Sequence, residues 1–259
     1  MNVKGIKIGV CAVALMAGSV FTCQVHAGGL GLSTTRIIFN QSDKGAEVTF
    51  RNNGSALYLV QSAVVPAGED ILKETGLNAA SPVESQAKPP FIVTPPLFRS
   101  EPGTENVLRI LRTGGQFPAD RESLFYFRFN AIPPLPVEAT DGQEASIGKV
   151  GTQLSIALGM SVKLFYRPKG LSESPDGAYS RLTFRRVKAG VELSNPTPYF
   201  QTLSSLTLGG VAVDLNKQPS MVAPFSKVVF TKAGTGSQAV WTTINDYGGD
   251  SAQGKASIL

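Results

Sequence analysis

The sequence predicts an all-β chain built as two sandwich units. Three observations carry that expectation. Short runs alternate apolar and polar residues with a period of two, the pattern of strands with one buried face. Turn signals such as Asn52-Asn53-Gly54 and Gly209-Gly210 separate these runs. No stretch carries the 3.6-residue repeat of a convincing amphipathic helix, and a break at Tyr166-Arg167-Pro168-Lys169-Gly170 divides the strand signals into two sets.

Residues 1–27 read as a secretory signal. Lys4 and Lys7 make a positive start, and Ile8 to Phe21 is an uncharged apolar run of 14 residues. That run is shorter than the ~20 residues of a spanning helix, so cleavage is the expectation. Val25-His26-Ala27 supplies small residues at the cleavage positions, and the mature chain begins at Gly28.

Cleavage removes chemistry. Cys11, Cys23 and His26 are the only Cys and His residues, and all lie in the signal. The remaining 232 of 259 residues hold no His- or Cys-based metal site, no Ser-His-Asp or Cys-His machinery and no disulfide. Removing Lys4 and Lys7 from 24 basic residues leaves 22 against 19 acidic ones, a net +3. No run of five or more Lys/Arg residues occurs, so nucleic acid is a poor partner.

In the first set, Leu32 to Phe39 is expected as one strand containing Arg36. Ala46 to Phe50 and Leu57 to Val65 follow. Pro66 to Pro90 reads as a loop. Phe91 to Arg99 resumes the sheet, with Pro95-Pro96 marking a bend or edge. Val107 to Leu111 and the segment Phe117 to Pro134 supply further strands. Seven or so short strands with turns between them are an immunoglobulin-like sandwich.

The chain is organised around Val150 to Arg167. Leu154, Ile156, Leu158, Met160 and Val162 fall on one parity; Ser155, Ala157, Gly159 and Ser161 fall on the other. On pattern alone this is an ordinary sandwich strand with its large face inward. After Pro168 a second set follows: Leu182 to Val187, Gly190 to Leu193, Leu203 to Leu208, Val211 to Leu215, Lys227 to Thr231, Ala239 to Ile244 and Lys255 to Leu259. Gly209-Gly210 is a hairpin turn. A faint echo links Asn53…Tyr58 with Asn195…Tyr199.

Several segments together resemble the PapD-like family of periplasmic pilus-assembly chaperones. They are Phe91 to Arg99, Asp120-Arg121-Glu122-Ser123-Leu124-Phe125 through Asn130, and Lys163-Leu164-Phe165-Tyr166-Arg167-Pro168. Asn195-Pro196-Thr197-Pro198-Tyr199, Met221-Val222-Ala223-Pro224-Phe225 and Ile244-Asn245-Asp246-Tyr247-Gly248-Gly249 complete the set. The likeness spans nearly the whole mature chain in the family's order.

It implies two immunoglobulin-like domains, 28–167 and 168–259, set as a boomerang. It implies a non-enzymatic chaperone in the periplasm, without metal or cofactor, whose partners are pilus subunits and an outer-membrane usher. By resemblance, Leu154, Ile156 and Leu158 are the row lent to a subunit's groove, with Val150 and Met160 extending it. Arg36 and Lys163 match the anchor for the subunit's C-terminal carboxylate, and Glu122, Arg167 and Asp246 match a charge cluster that fixes the interdomain angle. The row is even-numbered and Lys163 odd, so either the anchor lies across the strand from the row or a twist or bulge intervenes. The 18-residue segment Leu135 to Thr152 is a longish loop without the cysteine pair of long-loop members, and leans to the short-loop branch. An exposed apolar edge invites self-association of the free protein.

A secreted two-domain adhesin or fibre component is the alternative. It would need its own receptor site, and the single Trp241 and lack of metal-ligand clusters speak against one. A glycosidase-like carboxylate pair is a third reading; Glu122 and Asp246 have the better explanation above.

Overall fold

The computed structural model describes residues 29–68, 76, 88–134 and 156–259. The signal segment, Val150, Leu154 and the whole loop Leu135 to Thr152 lie outside the described residues.

The first unit is a sandwich of two sheets. One sheet orders β1 (Leu30–Leu32), β3 (Ala46–Asn52), β7 (Thr104–Arg112) and β5 (Phe91–Thr94) as β1-β3-β7-β5. The other orders β2 (Arg36–Asn40), β9 (Leu158–Arg167), β8 (Ser123–Ile132), β4 (Tyr58–Pro66) and β6 (Leu97–Ser100) as β2-β9-β8-β4-β6. Alternate residues of both sheets meet in one core that includes Phe39, Phe50, Leu108, Phe125, Phe127, Phe129 and Leu164. Phe50 meets Phe129 edge-on with ring centroids 4.9 Å apart.

Two expected strands are each two strands. Leu32 to Phe39 breaks at Ser33–Thr35, where the Thr49 amide donates to Ser33 Oγ and the Thr34 hydroxyl bonds the Arg36 carbonyl. These side-chain bonds take the chain off β3 and onto β9. Phe91 to Arg99 divides at Pro95-Pro96, so that β5 and β6 serve opposite sheets. A period-two pattern survives such a crossing, which is why it reads as one run.

β2 runs parallel to β9, and β8 runs antiparallel to it. The β8–β9 register is continuous from Ser123↔Tyr166 to Ala131↔Leu158, without a bulge. The expected strand from Val150 begins, within the described residues, only at Leu158; Ile156 and Ala157 precede it.

The second unit is again two sheets. One orders β10 (Thr183–Val187), β11 (Gly190–Ser194) and β15 (Lys227–Phe230) as β10-β11-β15. The other orders β13 (Val211–Ala212), β12 (Gln201–Leu208), β16 (Gln238–Thr243) and β17 (Gly254–Ser257) as β13-β12-β16-β17, with β14 (Met221–Val222) also on β12. Gly209 and Gly210 both take left-handed φ, +59° and +87°, as a tight hairpin turn requires. The core gathers Phe184, Leu193, Leu206, Phe230 and Trp241. β14, the short helix Pro175–Ala178 and the 3-10 turn Tyr179–Arg181 were not expected; all are too short to carry a period.

In the first unit the echo starts at Asn52 rather than Asn53, while in the second it starts at Asn195 as placed. Asn52 and Asn195 each donate Nδ2 to the carbonyl four residues on, Ala56 and Tyr199, and accept with Oδ1 from the amide two residues on, Gly54 and Thr197.

Candidate functional site

β9 carries two unlike faces. Val162, Leu164 and Tyr166 face the first core. The same parity runs on to Met160, Leu158 and Ile156, where it is exposed by 45%, 47% and 61%. Leucine and isoleucine at such exposure leave about half of their surface in water. Lys163, Phe165 and Arg167 lie on the opposite parity. With no bulge in the β8–β9 register, Lys163 points away from the Leu158–Met160 row, and the parity question is answered for the described residues.

Small residues sit opposite that apolar row. A Cβ at Gly159 would come 2.9 Å from Asn130 Oδ1, so the glycine leaves room for the side chain of its β8 partner. Along its other side β9 pairs with β2 only from Lys163 to Arg167. Among the described residues, Leu158 to Val162 therefore has an open edge, with backbone groups free to pair beside the exposed side chains of Leu158 and Met160.

The edge opens where two cations meet. Arg36 opposes Lys163 in the first register pair of β2 and β9. Arg36 is buried; its Nη1 donates to the Ile244 carbonyl at 2.7 Å, and its guanidinium lies 5.5 Å from the Phe165 ring centroid. Burial pulls the Arg36 pKa below its usual value, against the pull of Asp246 and Glu122. Burial, with help from Arg36, pushes the Lys163 ammonium down to about 8. Two like charges held together in a partly dry place are costly until an anion joins them.

The structure brings Glu122, Arg167 and Asp246 together between the units. Glu122, 3% exposed, accepts Arg167 Nε at Oε1 and the Phe200 amide at Oε2, both at 2.8 Å. Asp246 takes the guanidinium in bidentate fashion, at 2.6 and 2.9 Å. Arg167 also lies over the Tyr199 ring, 5.0 Å from its centroid. Burial pushes the Glu122 carboxyl up to about 7, opposed by Arg167; the two carboxylates hold Arg167 fully cationic.

Residues the sequence reading missed complete this junction. Phe165, Leu124 and Ala67 of the first unit pack with Phe200, Met221 and Ala223 of the second. Phe165 and Phe200 have centroids 5.6 Å apart. The signal was available: Phe165 is an aromatic on the parity of Lys163 and Arg167, a face that in an isolated sandwich would be wet. Arg36, Phe165, Arg167, Tyr199 and Asn245 line a cleft of about 330 Å3 between the units.

Residues 29–172 match the family described as "Pili and flagellar-assembly chaperone, PapD N-terminal domain", and residues 177–254 match "Pili assembly chaperone PapD, C-terminal domain". The chaperone protein HifB of Haemophilus influenzae is 36% identical over 222 residues, 85% of this chain and 84% of that protein. The crystal structure of the E. coli chaperone DraB superposes with a TM-score of 0.71 at 33% identity, covering 90% of this chain and 97% of that one. A chain from the complex of Salmonella enterica SafA pilin with the SafB chaperone superposes at 0.70 with 28% identity, covering 89% and 97%. Matched along both units and by solved structures of its own length, the chain belongs to the PapD-like family of pilus-assembly chaperones.

Proposed function

We propose that this chain, exported by cleavage after Ala27, holds pilus subunits in the periplasm by lending them a strand, and passes them to an outer-membrane usher. The observation that carries the reading is the open β9 edge, Leu158 to Val162, ending at the Arg36–Lys163 pair. A subunit lacking a strand needs backbone partners and apolar side chains to fill its groove; this edge offers both. Ile156, Leu158 and Met160, with Leu154 and Val150 before them, are the filling row. Burying each such side chain is worth roughly 1.5–3 kcal/mol. Arg36 and Lys163 hold the subunit's terminal carboxylate by charge-assisted hydrogen bonds. A strand on that edge whose C-terminus reaches Lys163 runs in the direction of β9, from the Leu158 end. Pinning its end forbids the one-residue slip that would turn its side chains to the wrong face. Glu122, Arg167 and Asp246 set the angle between the unit ending at Arg167 and the unit that follows.

The test is a periplasmic pull-down with tagged mature protein under conditions of pilus expression. Wild type should recover a small secreted subunit; Lys163→Ala and Ile156→Asp should lose it while remaining folded. Equal recovery by all three would show that the strand and anchor are misassigned.

A further inference from the structure

A second surface adjoins the anchor. Lys163 and Ile244 line one end of a groove of about 600 Å3 that continues along β12 past Thr202, Ser204 and Ser205. The β12–β16 register shifts between Leu203 and Ser205, so Ser204 and Ser205 share the place of one residue opposite Thr242. This is a β-bulge, and it re-aims side chains. Both exposed serine hydroxyls reach Thr242 Oγ1, at 2.7 and 2.6 Å. Thr202, beside them, is buried, and its hydroxyl has no hydrogen-bond partner among the described residues. Among the described residues, the only ionisable ones lining it are Lys163 and Asp214, and Asp214 is engaged by Lys217 at 3.0 Å.

We propose that this hydroxyl-lined groove is a second contact for the subunit, receiving an uncharged polar face of the subunit's body next to its anchored end. The proposal rests on the reading that Arg36 and Lys163 hold that end. The groove adjoins the anchor through Lys163, so the part of a subunit next to its tethered end comes beside the second unit. Clustered hydroxyls donate and accept, and they match serine, threonine, asparagine or backbone groups. A charged face would lose hydration there without a counter-charge. The contact sets how long a subunit stays and which subunits are kept, while the β9 edge supplies the common attraction.

The test uses the full mature protein and the subunit it recovers from the periplasm. Release of that subunit is timed for wild type, Ser205→Arg and the pair Ser204→Ala/Ser205→Ala. Thr183→Arg, on the exposed face of β10, is the control, and Ile156→Asp tests the strand. Ser205→Arg should shorten the complex lifetime about tenfold and the alanine pair about threefold, with the control unchanged. Both serine positions are exposed, so the melting transition should hold; if Ser205→Arg fails to fold, the alanine pair decides. Unchanged lifetimes in the serine variants, with Ile156→Asp inactive, overturn the groove alone. Full recovery by Ile156→Asp, or no recovery by wild type, overturns the strand reading and the groove with it. A change confined to self-association of the free protein assigns the groove to a second copy and also overturns the proposal.

Discussion

Burial and the neighbouring Arg36 hold the Lys163 ammonium well below the usual lysine range. Its folded pKa, about 8, lies below that of an unfolded lysine. The free protein therefore gains stability as pH rises from about 8 to 10.5 and loses it as pH falls through the folded value. Binding has the opposite sign, because only the ammonium attracts a carboxylate. Subunit affinity should be greatest below about pH 8 and should fall as pH rises toward 9.5. Lys163→Arg, which stays charged, should flatten that profile in a binding titration. A wild-type profile flat over the same range would remove Lys163 from the anchor. Little of this was legible in the sequence. Arg36 and Lys163 were found through their motifs, but isolated charges on strands carry no sign of their partners. The Ile244 carbonyl on Arg36 lies 208 residues away and depends on how the two units meet.

Elements show a different balance. The alternation from Leu154 to Val162 was plain in the sequence because large apolar residues hold one parity and small residues the other. That the same face serves the first core at one end and lies bare at the other was not, since period two says nothing of where the opposing sheet stops. β17 is a second case. Gly254 pairs with Trp241, and a Cβ there would stand 2.3 to 2.7 Å from the indole ring. Trp241 is buried and its Nε1 donates to the Tyr179 carbonyl at 3.0 Å, so it cannot swing away without losing that bond. Gly254→Ala should destabilise the second unit by about 1–3 kcal/mol, lowering its melting midpoint by several degrees. An unchanged thermal scan would show that β17 shifts freely. Sequence reading placed this strand at Lys255, missing the glycine whose lack of a side chain gives it its partner.

At the scale of the whole molecule, the Arg167 guanidinium joins carboxylates of both units. Arg167→Met leaves Glu122 buried with a single backbone donor and Asp246 without its partner. Removing one member of a buried ionic set costs about 3–5 kcal/mol. Chemical denaturation should show that loss, and small-angle scattering should show a broader spread of interdomain distances. The triple change Glu122→Gln, Arg167→Met, Asp246→Asn should recover much of the stability, since no charge is then stranded. A single variant as stable and as compact as wild type would reduce the cluster to decoration on the Phe165–Phe200 contact. No local pattern joins residues 122, 167 and 246; their meeting follows from the placement of two units, which spacing does not encode. The start of β2 at Arg36 has a further consequence. The lane beside β9 is a cul-de-sac: open from Leu158, closed by β2 where Lys163 begins its pairing. A guest strand advancing along it meets β2 end to end, with its last atom against the two cations. A guest extended by even a short tag would have to leave the lane early, and its apolar residues would then miss their places. On the proposed reading, the fold inspects for a finished chain, accepting a polypeptide by where it stops.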